Sequence, residues 1–236
     1  MILYIAERQK AGYIECYGTP EERFRYLPPG VDPKFRLYRE DEKSAVRIRI
    51  RREFGLPDDA VLLIQICSAF HTKGVDRVIQ ALAALPEVFR KKVFYLVAGT
   101  ETKGFRKIAV RSGLDRQVIF AGPRQDVPDL LTAADLMVHP ARTEAAGTVL
   151  AEAAVCGLPM ICSANCGFAP LTAEAGGIVL PEPFSCRSLT EALELTFRLP
   201  DALDRMRSDA AEYALKADFH HRTECFWNFI EEDGHA

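Results

Sequence analysis

The chain has 236 residues, 48% hydrophobic and 27% charged, with 30 lysines and arginines against 33 aspartates and glutamates. That is enough chain to bury a sizeable core in one domain or a domain and a half, and its net charge of -3 excludes an overall nucleic-acid footprint. No apolar run approaches the roughly 20 residues that cross a bilayer, and the start, MILYIAERQK, has no cleavage pattern, so neither a span nor a signal peptide is expected.

In chain order, residues 1–18 read as a helix. Thr19-Pro20 and Tyr26-Leu27-Pro28-Pro29-Gly30 follow as a stiff connector. Arg47, Arg49, Arg51 and Arg52 are spaced as on the solvated face of a helix. Apolar runs at 61–67, 93–98, 118–121, 136–139 and 158–162 read as buried strands. Between them Val75, Val78, Ile79, Leu82 and Leu85 repeat at helical spacing up to Pro86, and 105–112, 127–134 and 148–156 are further helices. From Leu189 onward the chain is helical, and its last part carries Phe219, Phe226, Trp227 and Phe229, which pack either within this unit or on a partner surface.

Buried strands alternating with helices predict an α/β fold, a Rossmann-like doubly wound parallel sheet with extra C-terminal helices. Ligands in such sheets sit beyond the carboxyl ends of the strands, which directs attention to the loops after Cys67, Ala98, Ala121, His139 and Cys162. The seven cysteines (16, 67, 156, 162, 166, 186 and 225) are odd in number and include no CxxC, so reduced thiols and a cytoplasmic chain are expected. Cys162 and Cys166 have no two further ligands nearby, and no metal site is expected there.

The most informative segment is Glu144-Ala145-Ala146-Gly147-Thr148 through Glu152, which opens a helix after a strand. Small residues let an anion approach the main chain, and a helix N-terminus presents free amides and about half a positive charge, a setting for a diphosphate. Glu152, about a turn and a half into the helix, is placed to take a ribose diol, and Glu144 a sugar hydroxyl. Lys73-Gly74, after the first strand, puts a cation at the same crevice; the adjacent His71 reads as an exposed loop residue. Gly122-Pro123-Arg124-Gln125-Asp126-Val127, with Gly99 and Thr100, could frame a base. The chain has no Asp-x-Asp, GxSxG, GxxxxGK[ST] or GxGxxG motif, so no metal-bridged diphosphate, hydrolase, P-loop or dinucleotide reading gains support.

Together with Leu27-Pro-Pro-Gly-Val-Asp-Pro33, Lys73-Gly-Val-Asp-Arg77, Ala133-Ala-Asp-Leu136 with His139-Pro140, and Cys166-Gly167 with Glu182-Pro-Phe184, these residues resemble the retaining glycosyltransferases of family 4, which have the two-domain GT-B fold. Within that family the likeness is to the bacterial enzymes of the lipopolysaccharide core. The resemblance covers nearly the whole chain. It implies Glu144 near the reacting centre, Glu152 on the ribose, Lys73 on the diphosphate, and amides of Ala145 to Thr148 on hexose and phosphates. It also implies an arginine after the Pro-Pro-Gly segment, for which Arg36 is the candidate.

The resemblance further implies a UDP-sugar donor, UDP-glucose above all, used without metal or other cofactor. The acceptor would be lipopolysaccharide core or another lipid-linked glycan at the cytoplasmic face of the inner membrane. Residues 1–25 would be a remnant of an acceptor-binding domain with its connector, 26–215 the nucleotide-sugar domain and 216–236 a cross-over helix. The acceptor domain would then be missing or separately encoded, and the chain alone would bind donor but transfer little. A non-catalytic nucleotide-sugar module, a decayed subunit, or an epimerase of related architecture remain alternatives.

Overall fold

The computed structural model describes residues 1–100, 103–199 and 201–234. The first 26 residues form a small parallel unit: strand β1 (Ile2–Tyr4), helix α1 (Glu7–Tyr17) and strand β2 (Phe24–Tyr26). The expected helix over 1–18 therefore begins only at Glu7. Its first residues are extended because β1 pairs with β2 in register Ile2↔Phe24, and the Tyr4 ring packs edge-on to Phe24 at 6.1 Å.

The remainder is built on six parallel strands. In chain order the elements are α2 (Glu40–Glu53), β3 (Val61–Ile66), α3 (Val75–Ala84), α4 (Glu87–Arg90), β4 (Val93–Ala98), α5 (Phe105–Arg111), β5 (Val118–Gly122) and α6 (Val127–Ala133). Then come β6 (Leu136–His139), α7 (Thr148–Val155), β7 (Met160–Ser163), α8 (Ala169–Glu174), β8 (Ile178–Leu180), α9 (Cys186–Arg198), α10 (Ala202–Lys216) and α11 (Arg222–Gly234). Strand order is β5-β4-β3-β6-β7-β8, the doubly wound arrangement in which the winding reverses between β3 and β6. Every expected strand, and each helix expected at 75–85, 105–112, 127–134 and 148–156, is present to within two residues of its limits.

The strands' two-residue period separates two cores. Leu62, Ile64, Leu96, Met137 and Met160 face α6 and α7, with Leu130, Leu131, Leu150 and Ala154 among the residues they bury. Leu63, Val97, Val138 and Ile161 face α3, α5 and α9, burying Val75, Val78, Ile79, Leu82, Leu189 and Leu193. Ser185 caps α9, its Oγ accepting from the Ser188 amide at 3.0 Å.

Two of the four arginines of α2 correct the sequence reading: Arg47 and Arg51 turn inward, whereas Arg49 and Arg52 are exposed as expected. Arg47 donates to Oδ1 of buried Asp135 at 2.5 Å and Arg51 lies 3.5 Å from Oδ2, while Arg49 pairs with Asp129. Arg207 of α10 adds a third guanidinium to Asp135 at 2.5 Å, and the Leu62 amide donates to it at 2.7 Å. A carboxylate that is 1% exposed needs such compensation, and Arg47, Arg51 and Arg207 supply it as a hub at the amino ends of β3 and β6. The C-terminal aromatics divide: Phe219 is buried against Tyr213, whereas Phe226 and Trp227 of α11 are 37% and 56% exposed.

All seven cysteines carry free thiols. Burial pushes Cys67 and Cys156 up to about 12, outside the reactive range. No helix among the described residues is long and apolar enough to cross a membrane.

Candidate donor site

Because α3 and α7 pack on opposite faces, the loops that follow β3 and β6 diverge and leave a crevice at the carboxyl edge. Each wall is firmly held. In the first loop, fully buried Phe70 stacks on Phe120 and meets Phe105 edge-on, with ring centroids at 6.0 and 5.5 Å. Gly74 then turns the chain into α3 with φ of +75°, and a β-carbon there would stand 2.2 Å from the Pro140 carbonyl oxygen, so only glycine lets the two walls approach. The second loop runs beside the segment after β7, with Gly167 N donating to Glu144 O at 3.1 Å and Phe168 N to Ala146 O at 2.8 Å. His71 is exposed, and its carbonyl accepts from Arg142 at 2.5 Å.

These walls bring Lys73 and Glu144 together across the crevice, Nζ to Oε2 at 2.6 Å. Burial raises the Glu144 carboxyl, but hydrogen bonds from His139 and Lys73 outweigh it and hold the group below its ordinary value. Gly147, at φ of +87°, opens α7; Ala145 and Thr148 beside it are exposed. Among the described residues the Thr148 and Val149 amides make no main-chain hydrogen bond, so the first turn of α7 offers donors and a positive dipole end next to Lys73.

Glu152 lies in the next turn, half-buried, and its carboxylate makes no hydrogen bond or ion pair among the described residues. Burial raises its carboxyl, with Lys34 the opposing cation. Lys34, unassigned by the sequence reading, is thus the basic residue of the Lys34-Phe35-Arg36 segment that acts on Glu152. Arg36 is held elsewhere, bidentate on Glu42 at 3.0 Å and stacked on Tyr38 at 4.5 Å.

Arg124 is also fully engaged, by both oxygens of Asp126 (2.8 and 2.7 Å) and by Glu53 at 2.7 Å. Its loop nevertheless borders the crevice: Cys67, Ser68, Gly99, Thr100, Pro123, Arg124 and Val127 line a cleft of about 300 Å³ beyond β3, β4 and β5. Sequence reasoning missed His139 as a partner of Glu144, and behind it Gln65 and Tyr95. A glutamine inside the apolar run 61–67 was the available signal, since a buried amide requires partners. Among the described residues no cluster of three His, Cys, Asp or Glu is placed to hold a metal ion.

Residues 46–216 match the family described as glycosyl transferases group 1, nearly the whole of the sheet domain that forms this crevice. The chain belongs to the group 1 glycosyltransferases. This group 1 chain is 41% identical over 194 residues to the lipopolysaccharide glucosyltransferase WaaG of Escherichia coli K12, a match covering 81% of this chain and 51% of that protein. It superposes on the crystal structure of WaaG, a glycosyltransferase involved in lipopolysaccharide biosynthesis, with a TM-score of 0.89 at 35% identity, over 97% of this chain and 62% of that one. Anabaena Alr3699/HepE, solved in complex with UDP and glucose, shares the fold with a TM-score of 0.84 at 20% identity, over 98% and 63% of the two chains. The group 1 chain thus spans about half the length of its curated relative from E. coli.

Proposed function

We propose that this chain supplies the donor-binding wall of a retaining hexosyltransferase and binds a UDP-sugar, UDP-glucose first among them. The observation that carries the reading is the convergence of Lys73, Glu144 and the open first turn of α7 at the point where the sheet reverses. The diphosphate lies on the amides from Ala145 to Thr148 and draws Lys73, Glu152 receives the ribose diol, and the base enters the cleft bordered by Gly99, Thr100, Arg124 and Val127. Gly74 serves by bringing the lysine loop against Pro140. Negative charge building on the leaving diphosphate is met by these fixed dipoles and the lysine, which is electrostatic catalysis of the preorganised kind.

Glu144 faces the donor hexose at the reacting centre. Arg36 reaches a phosphate only by leaving Glu42, and Arg124 contributes through its loop's main chain while its guanidinium remains on Asp126 and Glu53. Residues 26–215 form the nucleotide-sugar unit, with 1–25 and 216–236 joining it to an acceptor-binding wall. The names of the relatives support lipopolysaccharide core or a related lipid-linked glycan as acceptor, and hence work at the cytoplasmic face of the inner membrane.

The test is calorimetric titration of the chain with UDP, UDP-glucose and ADP-glucose without added metal, repeated with Lys73→Ala and Glu152→Ala. Binding of a uridine ligand that either substitution weakens at least tenfold is expected. Absence of binding by all three ligands sinks the reading.

A further inference from the structure

The donor reading leaves a run of buried polar groups unused, and they form one chain. Tyr95 of β4, wholly buried, donates its hydroxyl proton to Oε1 of Gln65 in β3, which is wholly buried as well. The Gln65 amide nitrogen faces the Lys73 carbonyl oxygen at 2.7 Å and Nδ1 of His139 at 3.5 Å. Nε2 of His139, a residue 1% exposed, then reaches Oε2 of Glu144 at 3.2 Å.

The direction of the chain is set from its ends. A main-chain oxygen only accepts, so the Gln65 atom facing Lys73 is the NH2 group; that group only donates, so Nδ1 of His139 accepts. The imidazole proton therefore sits on Nε2 and is donated to Glu144. The other titratable groups around the ring are Lys73 from the loop before α3, Cys67 at the end of β3, and Cys166 after β7. The Cys166 sulfur lies 3.8 Å from the His139 main-chain oxygen, and among the described residues none of the three hydrogen-bonds a ring nitrogen.

Oε2 of Glu144 consequently has two donors, Lys73 and His139, whereas Oε1 makes no hydrogen bond among the described residues. Lys73 is the one a diphosphate would draw away. We propose that His139 is a positioning residue that keeps Glu144 in place while Lys73 exchanges its carboxylate for the donor phosphates, leaving Oε1 free for a hexose hydroxyl. Gln65 and Tyr95 lock it as the Nε2–H tautomer. The inference rests on the donor-site reading above. A histidine that only filled the core would affect every ligand of the folded chain alike; one acting through Glu144 affects the hexose and spares the diphosphate.

The experiment compares UDP with UDP-glucose by calorimetry on the wild-type chain, His139→Gln, which keeps an N–H donor, and His139→Leu, which removes it. UDP should bind all three alike. The preference for UDP-glucose over UDP should fall about tenfold in His139→Leu and by less than about threefold in His139→Gln. Long-range proton–nitrogen spectra of the labelled wild-type chain, with the His139 signals assigned against His139→Gln, should show protonated Nε2 and bare Nδ1. An unchanged preference in His139→Leu, or a proton on Nδ1 in the wild type, overturns the proposal. If His139→Leu does not fold, the spectrum and His139→Met decide: a methionine has no N–H donor and should lower the same preference about tenfold, and an unchanged preference there overturns the proposal. Failure of the wild type to bind either ligand removes the donor site and this role with it, whereas UDP binding indifferent to residue 139 removes the role alone.

Discussion

Asp76 and Arg142 are joined by two hydrogen bonds, 2.8 and 2.6 Å, that tie the first turn of α3 to the loop carrying Glu144. The pair links the wall that carries Lys73 to the wall that carries Glu144. Replacing Arg142 by Met should lower global stability by about 1–3 kcal/mol, because the Asp76 carboxylate it leaves unpaired is largely buried. It should weaken UDP-glucose binding several-fold by letting Lys73 and Glu144 drift. Urea unfolding and calorimetry on one preparation check both halves; a large loss of stability with unaltered affinity would contradict this account.

Glu152 has no cationic partner bonded to it, and burial raises its carboxyl above the ordinary value. For a group whose folded value is raised, the folded state favours the protonated form. The group is most compatible with folding at low pH, and it becomes a cost as pH rises from the unfolded value through the folded one. Glu152→Gln should therefore raise the melting temperature at pH 7, lose that advantage below about pH 4, and weaken UDP binding. Thermal unfolding at the two pH values is the check, and destabilisation at pH 7 is the contrary result.

Asp135 predicts the opposite balance. Asp135→Ala leaves Arg47, Arg51 and Arg207 facing one another and the Leu62 amide unsatisfied, and should cost about 3–5 kcal/mol. Donor affinity of the remaining folded fraction should be unchanged. Denaturant unfolding with parallel titration of the folded protein separates these effects.

Gly74→Ala places a methyl group against the Pro140 carbonyl in a backbone region that alanine rarely occupies. A loss of about 1–3 kcal/mol is expected, with donor affinity falling alongside because Lys73 is the preceding residue. Wild-type stability in this variant would mean that the loop relaxes without strain.

Much of this was legible before the structure, for identifiable reasons. The strands from 61 to 163 are short apolar runs between turn signals, and their alternation with helices admits few topologies. Strand β1 escaped because three residues with a partner about 20 positions away carry no local signature, and they run straight into a helical pattern. All four arginines of α2 were read correctly as helical and Arg49 and Arg52 as exposed, but Arg47 and Arg51 were not read as turned inward, since Asp135 is 88 positions from Arg47 and spacing is blind to such distances. Lys73 and Glu144 were each singled out from chemistry, yet their contact across 71 positions exists only once β3 and β6 are neighbours. Arg36 was favoured because the resemblance implies an arginine after the Pro-Pro-Gly segment, but Glu42, six positions on in the first turn of α2, holds it, while Lys34, paired with Asp32, is the cation that opposes the rise of the Glu152 carboxyl.

The Asp135 hub and His139 stand at opposite ends of the same short strand, four residues or about 13 Å apart. Demands on β6 are therefore divided along its length: one end sets how firmly the sheet is anchored, and the other sets what the crevice holds. Substitutions that reinforce the anchored end can accumulate without reshaping the ligand contacts, which gives an engineer two nearly independent handles on a single strand.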